Sequence, residues 1–231
     1  MITVPRIVEV RKRVLKENDL IAHQLRDKFR ECNVRVVSLV SGPGSGKTTL
    51  LERTLTILHR THHRVAALVG DLATENDAER LRRSGAPVKQ ITTGTVCHLD
   101  ASMVSRALSE WDLDQVEVLF IENVGNLVCP SSYDLGEDLR AVLLSATEGE
   151  DKPLKYPSIF NSADVAVITK MDLAAVAEFD RRAAAANIQT VRPGMRVVEL
   201  SAKNGDGMDE WISCVLGSSA AVPHTNAGDF R

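Results

Sequence analysis

The run Ser41-Gly42-Pro43-Gly44-Ser45-Gly46-Lys47-Thr48 constrains this chain more than any other feature. It closes an apolar, β-branched stretch, Val34 to Val40, and opens an amphipathic one from Lys47 to His59. A strand, a tight glycine turn and a helix form the context of a phosphate-binding loop, in which backbone N–H groups turn inward onto phosphate oxygens. The start of the helix adds partial positive charge at the same point. Gly42, Gly44, Ser45 and Gly46 then form the cradle, with Thr49 beside it. Lys47 reaches the β- and γ-phosphates, and the Thr48 hydroxyl ligates Mg²⁺. Ser41 stands where such loops usually begin with glycine, which a negative φ permits. Gly42 and Pro43 leave no place for the extra lysine of the partitioning-type ATPases.

The rest of the chain repeats the strand-then-helix pattern. Strands are expected at Arg64–Val69, Val88–Ile91, Val116–Ile121, Arg140–Thr147, Val165–Thr169 and Val197–Leu200. Helices are expected at Glu75–Ser84, His98–Glu110, Val176–Asn187 and Met208–Leu216. Uninterrupted apolar strands alternating with helices predict a doubly wound α/β fold, with a mostly parallel sheet covered on both faces. Aromatic residues make up only 4% of the chain, so Val, Leu, Ile and Ala must fill that core. Residues 6–30 read as a helical extension with Val14, Ile21, Leu25 and Phe29 near one face. Its basic residues form either a solvated face on a helix packed against the domain or a docking arm for a partner. The expected organisation is an N-terminal arm over 1–32, a nucleotide-binding domain over 33–216 and a loose tail over 217–231.

Thr169-Lys170-Met171-Asp172 follows the strand that ends at Thr169. In GTPases this place reads Asn-Lys-x-Asp. The aspartate carboxylate accepts two N–H groups of guanine, which adenine cannot offer, and the lysine stem lies along the base. The Thr169 hydroxyl replaces part of the asparagine's bonding. Ser201-Ala202-Lys203 follows the next strand as a second guanine-contacting loop. Asp71 and Glu122 sit at the ends of two further strands, on the sheet edge where ligands bind in open α/β folds. Asp71 is assigned to Mg²⁺ or its water and Glu122 to positioning water at the γ-phosphate. The backbone of Gly125 is placed to sense that phosphate. Lys47, Asp71 and Glu122 are thus the candidate catalytic groups for GTP hydrolysis to GDP and phosphate.

Cys97 and His98 are adjacent, and Cys129 lies seven residues beyond Glu122. Thiolate and imidazole suit Ni²⁺ or Zn²⁺ rather than Mg²⁺. Three ligands do not complete a tetrahedral or square-planar shell, whereas two chains about a two-fold axis supply six. A metal here therefore calls for a dimer.

The net charge is −3, so no basic field for nucleic acid is expected. No apolar run approaches a membrane span. Four cysteines are too sparse for a disulfide framework. With no leader pattern at the N-terminus, a cytoplasmic protein with reduced thiols is expected.

Several runs resemble the HypB family, the GTPases that insert nickel into [NiFe]-hydrogenase. They are residues 41–50, Gly70-Asp71, Thr93-Gly94-Thr95-Val96-Cys97-His98-Leu99-Asp100, Phe120-Ile121-Glu122-Asn123-Val124-Gly125-Asn126-Leu127-Val128-Cys129-Pro130 and residues 147–157. The resemblance implies a SIMIBI-class GTPase that dimerises when GTP is bound. It implies a Ni or Zn site at the dimer interface, built from Cys97, His98 and Cys129. It further implies a zinc-containing HypA partner, the hydrogenase large subunit as recipient, and Lys155 reaching the neighbouring chain's nucleotide. The N-terminal Cys-x-x-Cys-Gly-Cys motif and the His-rich stretch of some members do not occur near Met1. Three rivals stand beside this reading. A urease-type nickel GTPase would carry Cys-Pro-His where this chain has Cys129-Pro130-Ser131. A small-molecule kinase would need ATP. A metal-binding module would carry only vestigial GTP turnover.

Overall fold

The computed structural model describes residues 4–72 and 76–217. The expected C-terminal tail beyond Gly217 and the start of the helix expected at Glu75 lie outside the described residues. Element order is α1 (Val4–Glu31), β1 (Arg35–Ser41), α2 (Lys47–Arg60), β2 (Val65–Asp71), α3 (Asn76–Arg82), β3 (Val88–Thr92) and α4 (Ala101–Ala107). It continues with β4 (Val118–Glu122), β5 (Leu139–Ser145), α5 (Lys152–Lys155), α6 (Pro157–Asn161), β6 (Val165–Thr169), α7 (Arg181–Val191), β7 (Arg196–Glu199) and α8 (Met208–Leu216).

The strands form one seven-stranded sheet in the order β3-β2-β4-β1-β5-β6-β7, and every pairing is parallel. Alternate residues of each strand feed opposite faces. Val37 and Leu39 of β1 join Leu50, Leu55, Leu58 and Trp211, so α2 and α8 cover one face. Val36 joins Phe29, Leu99 and Val104 on the other, beneath α1 and α4. Val40 shares that second face with Phe160 and Ile188, beneath α6 and α7. Burial on both sides explains why the five inner strands read as largely continuous apolar runs, whereas the edge strands β3 and β7 are half-buried and carry polar residues.

β1 lies between β4 and β5, so the winding direction reverses at its C-terminal end. That crevice is where an open α/β sheet binds ligands, and it holds the glycine loop. Trp211 is fully buried beside α2, and its indole N–H donates to Thr54 Oγ1 at 2.8 Å. At the far end of β1, the Arg35 side chain donates to the carbonyls of Val215 and Cys214, which caps α8.

Several expectations need correction. The helix expected from His98 begins at Ala101, because the Asp100 carboxylate accepts the Met103 N–H at 2.8 Å and caps it there. His98 is consequently a loop residue. The helix expected over 176–187 is Arg181–Val191, capped by Asp180, which accepts from Arg182 and Ala183. The short helices α5 and α6 were not anticipated; each begins at a residue beside or at a proline, which masks helical periodicity. Val14 is exposed, and the buried side of α1 runs instead through Asn18, Ala22, Leu25 and Phe29.

Candidate functional site

The glycine loop ends in two left-handed residues, Gly44 at φ 76° and Gly46 at φ 89°. A β-carbon at either would strain the backbone, so glycine is required for the loop to curl. Ser41 stays outside the left-handed region, which explains its tolerance at the first position. Its hydroxyl also has work here, accepting the Lys47 ammonium at 2.9 Å. Lys47 is nearly buried, and burial lowers its pKa against the opposing field of Glu122. Gly42 and Ser45 face Glu148 rather than the cavity, and Ser45 Oγ donates to Glu148 Oε2 at 2.8 Å.

A cavity of about 430 Å³ opens over this loop, lined by Gly44, Gly46, Lys47, Thr48 and Thr49 with Asp71, Glu122 and Gly125. The structure therefore brings these expected residues together, while Gly42 and Ser45 do not line the cavity. Asp77 and Arg80 of α3 line it as well. Arg80 is steadied by Glu52 at 2.7 Å and Thr49 Oγ1 at 3.1 Å. Glu122 is 3% exposed, and its Oε1 accepts the Thr48 hydroxyl at 2.6 Å. Its Oε2 is buried with no partner. Burial pushes this carboxyl up to about 7, against the pull of Lys47 and the Thr48 bond. A buried oxygen lacking a donor, beside a threonine hydroxyl at the head of the cradle, fits a bound cation. Gly125 packs closely against Pro43 of the loop, where a β-carbon would meet the proline backbone at 3.0 Å.

A second cavity, about 290 Å³, adjoins the first and is lined by Gly46, Thr49, Thr169, Lys170, Asp172, Ser201, Ala202 and Lys203. Thr169 Oγ1 donates to the Ser45 carbonyl at 2.6 Å, so a hydroxyl does tie this loop to the phosphate cradle. Lys170 adopts φ 57° and its ammonium donates to the Gly44 carbonyl at 2.7 Å, laying its stem across the cavity floor. Ser201 Oγ donates to Asp172 Oδ1 at 2.7 Å, which fixes that carboxylate at the cavity wall.

Cys97, His98 and Cys129, on the segments that follow β3 and β4, meet with their ligand atoms all within 4.8 Å of one another. The two sulfurs are 2.8 Å apart, and this shared contact raises the Cys129 thiol's pKa. His98 stacks on Tyr133 at 3.9 Å between ring centroids. Its Nδ1 is buried without a partner, and burial lowers the imidazole's pKa, which favours a neutral, ligating ring. Asn126 Oδ1 accepts from the backbone of Val128 and Cys129, fixing the turn that presents the second thiol. Two thiols and an orphaned imidazole nitrogen suit a soft or borderline transition ion. A cavity of about 460 Å³ runs beside them, lined by His98, Cys129, Tyr133, Tyr156 and Lys155. Lys155 thus faces the cysteine cluster rather than its own chain's nucleotide cavity, and it pairs with Asp151.

Asp77, Arg80, Asn123, Tyr133 and Glu148 were not anticipated. Asn123 could have been, because it follows Glu122 at the same strand end. Asp77 and Arg80 lie on the expected helix α3, but the pattern does not say which of its residues face the cavity, and Tyr133 and Glu148 reach their places through segments whose course the pattern does not encode.

Fold and site together define a P-loop nucleotide-binding protein with an adjoining cysteine–histidine cluster. Residues 35–199 match the family model described as the CobW/HypB/UreG nucleotide-binding domain. The chain is 46% identical over 210 residues to the hydrogenase maturation factor HypB of Azotobacter chroococcum, covering 91% of this chain and 68% of that one. It is 38% identical over 213 residues to the hydrogenase/urease maturation factor HypB of Helicobacter pylori, covering 90% and 87%. A crystal structure of HypB from Helicobacter pylori in complex with nickel superposes with a TM-score of 0.82 at 38% identity, covering 87% and 94%. The chain belongs to the HypB family. Among the described residues, no helix is long and apolar enough to cross a membrane.

Proposed function

We propose that this chain is a GTP-hydrolysing nickel metallochaperone that helps load [NiFe]-hydrogenase. In this reading GTP sits with its phosphates on the Gly42–Thr49 loop and its base between Lys170, Asp172 and the Ser201–Lys203 loop. Asp172 accepts the two guanine N–H groups, Lys170 covers the base, and Thr169 ties the base loop to the phosphate loop. Thr48 and Asp71 hold Mg²⁺, which supplies charge neutralisation at the β- and γ-phosphates. Lys47 leaves Ser41 to meet phosphate oxygens, and Glu122 orients water or the cation's shell. Gly125 reads the γ-phosphate through its N–H.

The cargo is Ni²⁺, with Zn²⁺ as an alternative occupant of the same ligands. Cys97, His98 and Cys129 from two chains share the ion across a GTP-dependent homodimer interface. A HypA-type nickel/zinc protein and the hydrogenase large subunit are the partners for transfer. The working compartment is the cytoplasm, where the thiols stay reduced. The observation that carries this reading is the approach of three ligand atoms within 4.8 Å, on loops that adjoin the nucleotide cavity. The relatives named above support the recipient. The name of the Helicobacter pylori relative also favours a second reading, supply to urease as well as hydrogenase.

The test combines GTP turnover with nickel uptake. Wild-type protein hydrolyses GTP and takes up nickel, Lys47→Ala loses turnover, and Cys97→Ser with Cys129→Ser loses uptake. Equal, slow turnover by wild type and Lys47→Ala would leave only a metal-binding module.

A further inference from the structure

Leu15 of α1 lines the cavity beside the cysteine–histidine cluster, and among the described residues the helix adds no ligand to it. Its second half is buried through Ala22, Leu25 and Phe29, beside Leu99, Ala101 and Val104. One polar residue lies in this apolar seam. Asn18 is 5% exposed, and a buried carboxamide is costly unless both its ends are bonded. Both are. Oδ1 accepts the Ala101 N–H at 2.9 Å, and Nδ2 donates to the Asp134 carbonyl at 2.9 Å.

The placement of those two partners gives the bond pair its meaning. Ala101 is three residues beyond His98 and opens α4. Asp134 is five residues beyond Cys129 and adjoins Tyr133, the ring that stacks on His98. One side chain therefore spans the two separate loops that carry the three ligands. Arg26, two turns further along α1, reinforces the second loop by donating to both carboxylate oxygens of Asp134 at 2.8 Å. The same carboxylate accepts the Gly136 N–H at 2.8 Å, so the loop cannot shift without breaking several bonds.

We propose that Asn18 is a positioning residue for the metal cluster, clamping the His98 loop to the Cys129 loop and so setting the spacing of the ligands. This rests on the metal reading given above. It also assigns the N-terminal helix a part in ion binding within its own chain. Groups that orient metal ligands from behind typically change affinity by about 10–100-fold when removed.

The experiment measures Ni²⁺ affinity by competition with a chelator, together with the thiolate-to-nickel charge-transfer absorption, on the full chain. Asn18→Leu keeps the branched shape and removes both bonds. It is expected to weaken nickel binding about tenfold and to shift the charge-transfer band. Asn18→Asp keeps the acceptor for Ala101 and is expected to fall between, which serves if the leucine variant does not fold. Leu25→Ala loosens the same helix without touching the carboxamide and is expected to leave affinity and band in place. The clamp is overturned if both Asn18 variants bind nickel like wild type, or if Leu25→Ala alters the band equally. Wild-type uptake that does not depend on Cys97 and Cys129 would instead remove the metal reading, and the clamp with it.

Discussion

Oδ1 of Asn123 accepts the backbone N–H of Leu99 at 3.0 Å, joining the residue after Glu122 to the residue after His98. Asn123 is 2% exposed, and the same oxygen also accepts from Val124. On one side, Glu122 bonds Thr48 at the phosphate cradle. On the other, His98 stands in the cysteine cluster. A short path of one covalent neighbour at each end thus runs between the two sites. If the Glu122 segment moves on nucleotide exchange, as the proposed function requires, this bond would pass the movement to the loop that carries Cys97 and His98.

Asn123→Ala should uncouple the sites. It leaves a buried N–H at Leu99 without its acceptor, at a cost of about 1–3 kcal/mol. The ratio of nickel affinities with a non-hydrolysable GTP analogue and with GDP is expected to fall toward one. Paired nickel titrations of wild type and variant check this.

Glu122 should give the nucleotide-free protein a distinctive pH dependence. Its folded-state value of about 7 lies above the ordinary 4.5, so the native carboxyl keeps a proton that the unfolded chain has released. The stabilisation is therefore complete below pH 4.5 and is lost as pH rises through 7. A shift of this size corresponds to about 3 kcal/mol. Urea denaturation without Mg²⁺ or nucleotide, from pH 4.5 to 7.5, should show wild type losing that much relative to Glu122→Gln. Parallel stability profiles would contradict the burial of an orphaned carboxyl.

Asp172→Asn should change the preferred base. The carboxylate matches two N–H donors of guanine, whereas a carboxamide matches one donor and one acceptor, the pattern of xanthine. Each lost charge-assisted hydrogen bond is worth about 1.5–3 kcal/mol. GTP affinity is expected to fall at least tenfold while XTP affinity rises, as competition binding would show.

Trp211→Ala should destabilise the fold by about 3–5 kcal/mol, since it empties a fully buried site and strips Thr54 of its indole partner. Trp211→Phe fills most of the space and should cost less. Chemical denaturation of both variants measures the difference.

The five inner strands were legible because they are buried on both faces, so each appears as a largely apolar run such as Val36–Val40 or Val165–Ile168. The glycine loop was legible because phosphate binding needs fixed residue types at short spacing, and Thr169, Lys170, Asp172 and Ser201–Lys203 do line one cavity beside it. Helix boundaries were less so. His98 and Val176 continue a helical pattern that the caps at Asp100 and Asp180 override. Asn18 and Tyr133 were invisible, because each acts through a partner far away in sequence. Asn18 and Asp134, for instance, are 116 positions apart.

The most direct measurement is the nickel dissociation constant of the full chain with a non-hydrolysable GTP analogue and with GDP, with molecular mass recorded in each state. The expected result is at least tenfold tighter binding in the GTP-like state, equivalent to about 1.4 kcal/mol of coupling, accompanied by a dimer that carries the ion. Equal affinities and the same mass in both states would show that the terminal phosphate does not govern the cluster of Cys97, His98 and Cys129.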